Sequence, residues 1–214
     1  MNFTSEIAFC FLHLAKTRFM EKQQIGSSSF SAIILAGGRS TRMGTDKALM
    51  QWYCKTLLQH TIDLLTPIFD HLLVSANVLY PLPAGVELVS DERAGCGPAG
   101  GIYSCLLRSP SDWNFVISVD SPFVTPEFIG YLKSFLGHAN DCVVPVHRNG
   151  KEPLVAFYHR RTAEVFRAQL DKGDFKMQNL LLALETTLAP AEDWIKANPR
   201  LFLNFNTPED LRRT

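Results

Sequence analysis

The sequence lacks most of the patterns that would point to a side-chain nucleophile or a bound transition metal. Its five cysteines include no CxxC pair, and its six histidines include no HxxxH pair. These spacings argue against a zinc site, and the odd number of cysteines argues against a disulfide framework. No GxSxG nucleophile elbow is present, so a hydrolase triad has no support. Reduced thiols in a cytosolic protein are the simpler interpretation.

The sequence also lacks a net charge and a long hydrophobic run. Its 21 basic and 21 acidic residues balance, whereas a nucleic-acid-binding domain usually carries a basic excess. It contains no stretch of about 18 apolar residues, so no membrane-spanning helix is predicted. We therefore expect no nucleic acid and no membrane as partners. The 214 residues, 46% of them hydrophobic, suit one globular domain in the cytoplasm.

The first 29 residues differ from the rest of the chain. They have an apolar centre, but Glu6 precedes it and no basic segment does, so a signal peptide is not predicted. The stretch QQIGSSS is typical of a flexible lead-in, and Met20 would make a natural translation start. We therefore interpret residues 1–29 as an extension, either disordered or preceding the true start, and residues 30–214 as the folded domain.

From residue 30 onward, short apolar segments alternate with segments of helical spacing. The predicted strands are residues 31–36, 71–75, 86–89, 114–119, 142–146, 154–158 and 201–205. The predicted helices are residues 56–65, 101–108, 125–136, 161–170, 174–184 and 207–212. This order favours a three-layer α/β domain whose mostly parallel sheet is covered by helices on both faces. Ligands of such sheets bind beyond the carboxyl ends of the strands.

The segment after the first strand, LAGGRSTRMGTDKAL, predicts a phosphate site. Gly37 and Gly38 let a ligand approach the backbone closely, and successive N–H groups there can form an anion nest. Arg39, Arg42 and Lys47 add positive charge. A glycine pair alone more often marks a turn. Its combination with three cations after a buried strand favours a nucleoside triphosphate, although the segment is neither a Walker loop nor a GxGxxG fingerprint.

Carboxylates and amides follow the later strands. Asp120 ends the apolar run VISV, where a carboxylate suits a Mg²⁺ ion that bridges phosphates, although an Asp before Pro122 can simply start a turn. Asp91 precedes a glycine cluster. Its carboxylate can pair with the N1–H and amino edge of guanine or hold a ribose hydroxyl, unless the segment is only a flexible loop. Asn204 and Asn206 can complete a Mg²⁺ shell or belong to the turn before a helix cap.

Together these segments resemble the molybdenum cofactor guanylyltransferases. LAGGRSTRMGTDKAL is similar to the signature LAGGxSxRMGxDK of that family, and SDERAGCGPAGG, SVDSPF, EPLVAFY and NFNTPEDL are similar to its later motifs. The resemblance extends over residues 30–212. It implies a Rossmann-like nucleotidyltransferase fold and the transfer of GMP from GTP to the terminal phosphate of Mo-molybdopterin. The products would be molybdopterin guanine dinucleotide and pyrophosphate.

The resemblance also implies roles for individual residues. The residues around the nucleotide would be Leu35, Ala36, Gly37, Gly38, Lys47, Asn77, Asp91 and Asp120. Lys47, Arg42 and Asp120 would be the catalytic residues, the first two at the phosphates. Asp120 would hold Mg²⁺ with help from Asn204 or Asn206. The implied partners are GTP, Mo-molybdopterin, and the molybdenum-insertion and chaperone proteins that handle the product.

Several alternatives stay open at this point. A CTP-dependent relative with the same acceptor would tend to read LAAG, so Gly37 and Asp91 favour guanine. A nucleotidyltransferase with another phosphate acceptor would share most of these motifs. A nucleotide-binding protein without catalysis would be expected to lose Lys47 or Asp120, and both are present.

The acceptor site has weaker signals in the sequence. Molybdopterin is anionic, so Arg148, Lys151 and Lys176 are the candidate cations, unless they are only solvated surface charges. Asp174 and Phe175 depart from the more basic stretch that similar proteins often carry, so the acceptor contacts stay open.

Overall fold

The computed structural model describes residues 29–37 and 46–205. The strands in this part of the chain are β1 (Phe30–Leu35), β2 (Gln51–Trp52), β3 (Lys55–Thr56), β4 (His71–Ser75), β5 (Val86–Val89), β6 (Trp113–Ser118), β7 (Cys142–His147), β8 (Gly150–Lys151), β9 (Val155–His159) and β10 (Thr186–Pro190). The helices there are α1 (Leu57–Leu65), α2 (Gly97–Arg108), α3 (Pro126–Lys133), α4 (Ala163–Asp171), α5 (Met177–Leu182) and α6 (Glu192–Ala197). Single 3-10 turns lie at Lys47–Leu49 and Arg160–Thr162.

Eight of these strands form one sheet in the order β5-β4-β1-β6-β9-β7-β10, with β8 paired to β7. β1 is parallel to β4 and β6, β4 is parallel to β5, and β10 is parallel to β7. Only β9 runs antiparallel to both of its neighbours in this order. The reason is the short connection from β7 to β9, since a parallel return needs a crossover of about a dozen residues or more.

Helices cover both faces of this sheet and divide the core into two layers. Side chains of α1 and α3 pack on one face, and those of α2, α4 and α5 pack on the other. The strands alternate accordingly, because successive side chains of a strand point to opposite faces. Along β1, Ala32 and Ile34 join the first layer, whereas Ile33 and Leu35 join the second. The predicted three-layer α/β fold is confirmed.

The helix starts show how local sequence fixes the elements. Thr56 caps α1 by accepting a hydrogen bond from the N–H of Gln59, and Thr125 caps α3 in the same way from Phe128. Thr125 also stands before a proline at the first turn of the helix. α2 begins four residues earlier than predicted, at Gly97, also with a proline in its first turn.

The prediction of a last strand at 201–205 is wrong. These residues form a turn and irregular chain, with the N–H of Leu201 bonded to the carbonyl of Asn198. They are apolar because Leu201 and Phe205 are buried in the core, and not because they pair with a strand. The actual edge strand, β10, was missed because only Ala189 of its five residues is buried. The helix predicted at 207–212 lies outside the described residues.

Two further predictions concern the chain as a whole. Within residues 29–37 and 46–205, no helix is long and apolar enough to cross a membrane. The assignment of residues 1–29 to an extension and of 30–214 to one domain stays a prediction, since the structure describes only part of each range.

One glycine in α2 is required by the close approach of β4. A β-carbon at Gly101 would lie 2.3 Å from the hydroxyl oxygen of Ser75, the last residue of β4. That hydroxyl faces a carboxylate oxygen of Asp91 at 3.4 Å. The absence of a side chain at Gly101 therefore lets the helix lie against the end of the strand without moving Ser75.

We expect opposite effects from two glycine-to-alanine substitutions in helices. Gly101→Ala should lower the free energy of unfolding by about 1–3 kcal/mol, because the added methyl group overpacks the contact with Ser75. The control Gly130→Ala should raise it by about 0.5–1 kcal/mol, because Gly130 is an exposed residue of α3 with nothing within 4 Å of an added β-carbon. Urea unfolding of both variants tests this; a neutral or stabilising Gly101→Ala would contradict it.

Candidate functional site

Four parallel strands end level with one another at one edge of the sheet. In the strand register, Leu35 lies opposite both Ser75 and Ser118, and Ser75 lies opposite Val89. The residues two positions beyond the ends of these strands therefore lie level with one another. These residues are Gly37, Asn77, Asp91 and Asp120. All four were singled out in the sequence, and the parallel register explains why they share one edge.

The first charged pair at this edge joins Lys47 to Asp120. The ammonium nitrogen of Lys47 lies 2.8 Å from Oδ2 of Asp120, and the side chains are 23% and 16% exposed. Lys47 begins the 3-10 turn Lys47–Leu49, and Asp120 follows β6. A partly buried pair of this kind is less screened than a surface pair. The structure thus brings together the predicted phosphate ligand and the predicted metal ligand.

A second polar pair lies at the ends of β4 and β5. The side-chain amide of Asn77 donates to Oδ2 of Asp91 at 2.9 Å, and its carbonyl oxygen accepts from the backbone N–H of Asp91 at 2.9 Å. The hydroxyl of Ser75 lies 3.4 Å from the other carboxylate oxygen. Asn77 and Asp91 therefore form one unit, in which the amide orients the carboxylate. The second lone pair on each carboxylate oxygen can still accept from a ligand.

The start of the glycine segment is tied to the neighbouring strands through its backbone. The N–H groups of Ala36 and Gly37 both donate to the carbonyl of Ser75, at 3.1 and 3.0 Å. The carbonyl of Leu35 accepts from Val119 at 3.2 Å. Leu35 and Ala36 are buried, so their predicted part at the nucleotide stays a prediction. A β-carbon at Gly37 would make only ordinary contacts within the protein, so space for a ligand is the better reason for glycine.

The residues after the last described turn also reach this edge. The N–H of Phe205 donates to the carbonyl of Asp120 at 2.9 Å, and the hydroxyl of Ser121 donates to Oδ1 of Asn204 at 2.9 Å. Phe205 is fully buried against Trp52 and Phe123. Asn204 is thus held by Ser121, the residue after Asp120, and its part in a metal site stays a prediction.

Some predicted site residues lie outside the described part of the chain. These are Gly38, Arg39 and Arg42 in the glycine segment and Asn206 near the end. Their roles at the phosphates and the metal stay predictions.

The described residues contain oxygen ligands but no complete metal cluster. No group of three or more His, Cys, Asp and Glu side chains occurs in residues 29–37 and 46–205 that could hold a metal ion. A carboxylate at Asp120 and an amide oxygen at Asn204 are hard ligands of the kind Mg²⁺ prefers. Mg²⁺ is commonly bound by one or two carboxylates and completed by substrate phosphates. The residues present fit that type of site.

The three candidate acceptor cations lie on two different parts of the fold, two of them on the β7–β8 hairpin and one before α5. Arg148 lies in the turn between β7 and β8, where its N–H donates to Oε1 of Glu192, and Lys151 pairs with Val146. β7 is parallel to β6, so this hairpin lies at the same edge as Asp120. Lys176 precedes α5, and its N–H donates to Asp174.

Sequence reasoning missed two residues that contact the 3-10 turn at Lys47. Asp46 accepts from the N–H of Ala48 at 3.0 Å and from the hydroxyl of Tyr80 at 2.6 Å. Asp46 directly precedes Lys47 in the TDK segment, so its closeness to a predicted site residue could have identified it. Tyr80 lies 34 residues further along the chain, and no local pattern connects it to this turn.

Comparison with known proteins agrees with this geometry. The family model of the MobA-like NTP transferase domain matches residues 32–187. A probable molybdenum cofactor guanylyltransferase of Bacillus mycoides is 32% identical over 191 residues, which cover 86% of this chain and 94% of that protein. One from Peptoclostridium acidaminophilum is 32% identical over 193 residues, which cover 86% and 87%.

Solved structures give the same result at the level of the fold. Molybdopterin-guanine dinucleotide biosynthesis protein A from Archaeoglobus fulgidus superimposes with a TM-score of 0.70 at 26% identity, covering 86% of this chain and 95% of that one. A 2-C-methyl-D-erythritol 4-phosphate cytidylyltransferase from Thermus thermophilus has a TM-score of 0.61 at 15% identity, with coverage of 85% and 95%, which shows the shared fold alone. With its motifs, its edge of level strand ends and these relatives, the chain belongs to the MobA-like NTP transferase family and is a nucleotidyltransferase.

Proposed function

We propose that the protein transfers GMP from GTP to the terminal phosphate of Mo-molybdopterin, which yields molybdopterin guanine dinucleotide and releases pyrophosphate. The observation that carries the proposal is the edge where the Lys47–Asp120 pair and the Asn77–Asp91 pair follow neighbouring strands. The names of the relatives support guanine as the base and the molybdenum cofactor as the acceptor.

The order of the strands indicates how the nucleotide would lie along this edge of the sheet. Asp91, Asn77, Gly37 and Asp120 follow β5, β4, β1 and β6, which are successive neighbours in the sheet. Three strand spacings separate the first from the last, about 14 Å in all. We place the guanosine at Asp91 and Asn77, the phosphates over the glycine segment, and the reacting end beside Lys47 and Asp120.

The proposed reaction requires little covalent chemistry from the protein. The oxygen of the acceptor phosphate attacks the α-phosphorus of GTP in line, the bond from that phosphorus to the β-phosphate bridging oxygen breaks, and pyrophosphate leaves. No general base is needed, because the attacking phosphate is already anionic. Positioning and charge stabilisation are then the main contributions. The positive charge of Lys47 stabilises negative charge on the phosphates. The N–H groups of Ala36 and Gly37 already donate to Ser75, so an anion nest would have to use N–H groups of the segment beyond Gly37, outside the described residues.

We further propose that Asp120 holds Mg²⁺, with Asn204 and Asn206 as candidate partners. When bound, the ion would neutralise phosphate charge and orient the α-phosphate. Lys47 lies against Oδ2 of Asp120, which supports a site where the ammonium group and the carboxylate act on the same phosphates.

The place of the reaction and the recipients of its product are also proposals. Cys54, Cys96, Cys105 and Cys142 are unpaired thiols, which supports a reducing compartment such as the cytoplasm. Delivery of the product to molybdenum-insertion or molybdoenzyme chaperone proteins stays a prediction from the resemblance.

Removal of the Asp120 charge tests the proposed metal and phosphate end of the site. We expect Asp120→Asn to lower kcat at least about 100-fold, since loss of the carboxylate weakens charge stabilisation by several kcal/mol in order of magnitude. Pyrophosphate release at several Mg²⁺ concentrations measures the effect, and circular dichroism checks the fold.

A matched control lies at the other end of the same strand. Asp112 directly precedes β6 and pairs with Arg160 at 3.6 Å, far from the edge that carries Asp120. Asp112→Asn should leave kcat within about twofold, because surface ion pairs contribute little. If Asp120→Asn behaved like this control, the metal assignment would be wrong.

The role of Asp91 is tested by comparing GTP with inosine triphosphate, which lacks the 2-amino group of guanine. If Asp91 accepts from N1–H and that amino group, the wild type should prefer GTP about 10-fold or more in kcat/KM, and Asp91→Asn should remove the preference. Glu92→Gln, next along the same loop and exposed, is the control and should retain it. A preference that survives in Asp91→Asn would exclude the carboxylate as the group that recognises this edge of guanine.

A nucleotide panel decides between the proposed function and its alternatives. The protein is incubated with Mg²⁺, Mo-molybdopterin and each of GTP, CTP, ATP and UTP, and the dinucleotide product is identified by mass. We expect the guanine dinucleotide, because the Asn77–Asp91 unit presents acceptor oxygens to the base. A cytosine product would overturn guanine specificity, and no product with any nucleotide would remove this acceptor from the proposal.

A further inference from the structure

The 3-10 turn that carries Lys47 is held by a single carboxylate with two partners. Oδ1 of Asp46 accepts from the N–H of Ala48 at 3.0 Å, and this bond caps the turn. Oδ2 of the same carboxylate accepts from the hydroxyl of Tyr80 at 2.6 Å. Asp46 therefore caps the turn through Ala48 and also links the turn to Tyr80, which lies elsewhere in the fold.

Tyr80 is a rigid partner for this carboxylate. It lies between β4 and β5, the residue is 9% exposed, and its ring packs in the core layer that contains Ala36, Ala48 and Leu58. Its hydroxyl also lies 3.4 Å from the carbonyl of Ala36 at the end of β1. Burial, and then the neighbouring Asp46 carboxylate, raise the pKa of the Tyr80 hydroxyl, so this group remains a hydrogen-bond donor at neutral pH.

These contacts connect the two ends of the site. Tyr80 is three residues after Asn77, and Asp46 directly precedes Lys47. The turn is only three residues long, and Lys47 is its first residue. A rotation of the turn would therefore move the Lys47 side chain away from Asp120. Buried Ala48 also anchors the turn, and the Tyr80–Asp46 bond adds a link to the segment between β4 and β5, 34 residues further along the chain.

We infer that Tyr80 and Asp46 form a latch that positions Lys47 for the phosphates of the nucleotide. Both are positioning residues, because they act on the substrate only through Lys47. This inference rests on the proposed function, in which Lys47 contacts the triphosphate. It adds a coupling between the loop after Asn77, at the base end, and the cation at the reacting end.

The variant Tyr80→Phe removes only the hydroxyl and keeps the buried ring. We expect kcat for the GTP-dependent transfer to fall about 10-fold, the factor that one hydrogen bond to a charged group is worth, while KM for GTP changes less than about threefold. The control is Tyr131→Phe. Tyr131 donates its hydroxyl to the carbonyl of Pro190 at 2.7 Å, so this variant also loses one tyrosine hydrogen bond but should keep kcat within about twofold.

A double-mutant cycle separates positioning of Lys47 from a general loss of stability. Once Lys47→Met has removed the cation, adding Tyr80→Phe should change kcat by less than about twofold, because the latch has nothing left to position. A further 10-fold fall in the double variant would show that Tyr80 acts by another route and would overturn the inference. So would a Tyr80→Phe single variant with wild-type kcat.

A second measurement does not depend on turnover. Reductive methylation of lysines by formaldehyde, followed by mass spectrometry of the peptide that carries Lys47, reports how readily its ammonium group leaves Asp120. We expect Lys47 to react at least about threefold faster in Tyr80→Phe than in the wild type. Lys55, in an exposed pair with Asp63, serves as the internal reference.

The two measurements distinguish failure of the latch from failure of the proposed function. If the wild type makes no dinucleotide with any nucleotide, the proposed function fails, and the labelling alone decides on the latch. Equal Lys47 labelling in Tyr80→Phe and wild type would then refute the latch, and faster labelling would support it.

Discussion

The register of four parallel strands is the constraint on which the site depends. β5, β4, β1 and β6 end at one level, and each then continues for two residues before its polar or glycine residue appears. A shift of one strand by a single residue would turn that strand's core side chains to the wrong face. The hydrophobic pattern that builds the two core layers therefore also aligns Gly37, Asn77, Asp91 and Asp120, and packing and function share one set of contacts.

The polar groups at this edge satisfy one another in pairs. Lys47 faces Asp120, Asn77 faces Asp91, and Asp46 faces Tyr80. Leaving a buried charge without a partner is costly, so such pairs keep the charged groups in a fixed orientation. Orientation before binding reduces the entropy that the ligand must lose to the site, and this is a main source of rate when a reaction needs alignment more than proton transfer.

Much of the fold and of the site could be predicted because their signals are local. The strands at 71–75 and 86–89 are local patterns, and the structure has them where they were predicted. The strand predicted at 201–205 failed because burial of Phe205 against Trp52 and Phe123 produces the same apolar run as a strand. β10 was missed because it lies at the sheet edge with little buried surface. Tyr80 could not be found at all, since its partner is distant in sequence.

The reversed direction of β9 marks a boundary between two parts of the sheet. Among the described strands, β5, β4, β1 and β6 are joined by parallel pairings alone, and β6 meets the rest of the sheet through its antiparallel pairing with β9. Because β9 is reversed, β6 and β7 run in the same direction on either side of it, and the hairpin that carries Arg148 and Lys151 stands two strand spacings, about 10 Å, from β6. The reversal of β9 thus sets the distance between the metal end proposed at Asp120 and the cations proposed for the acceptor.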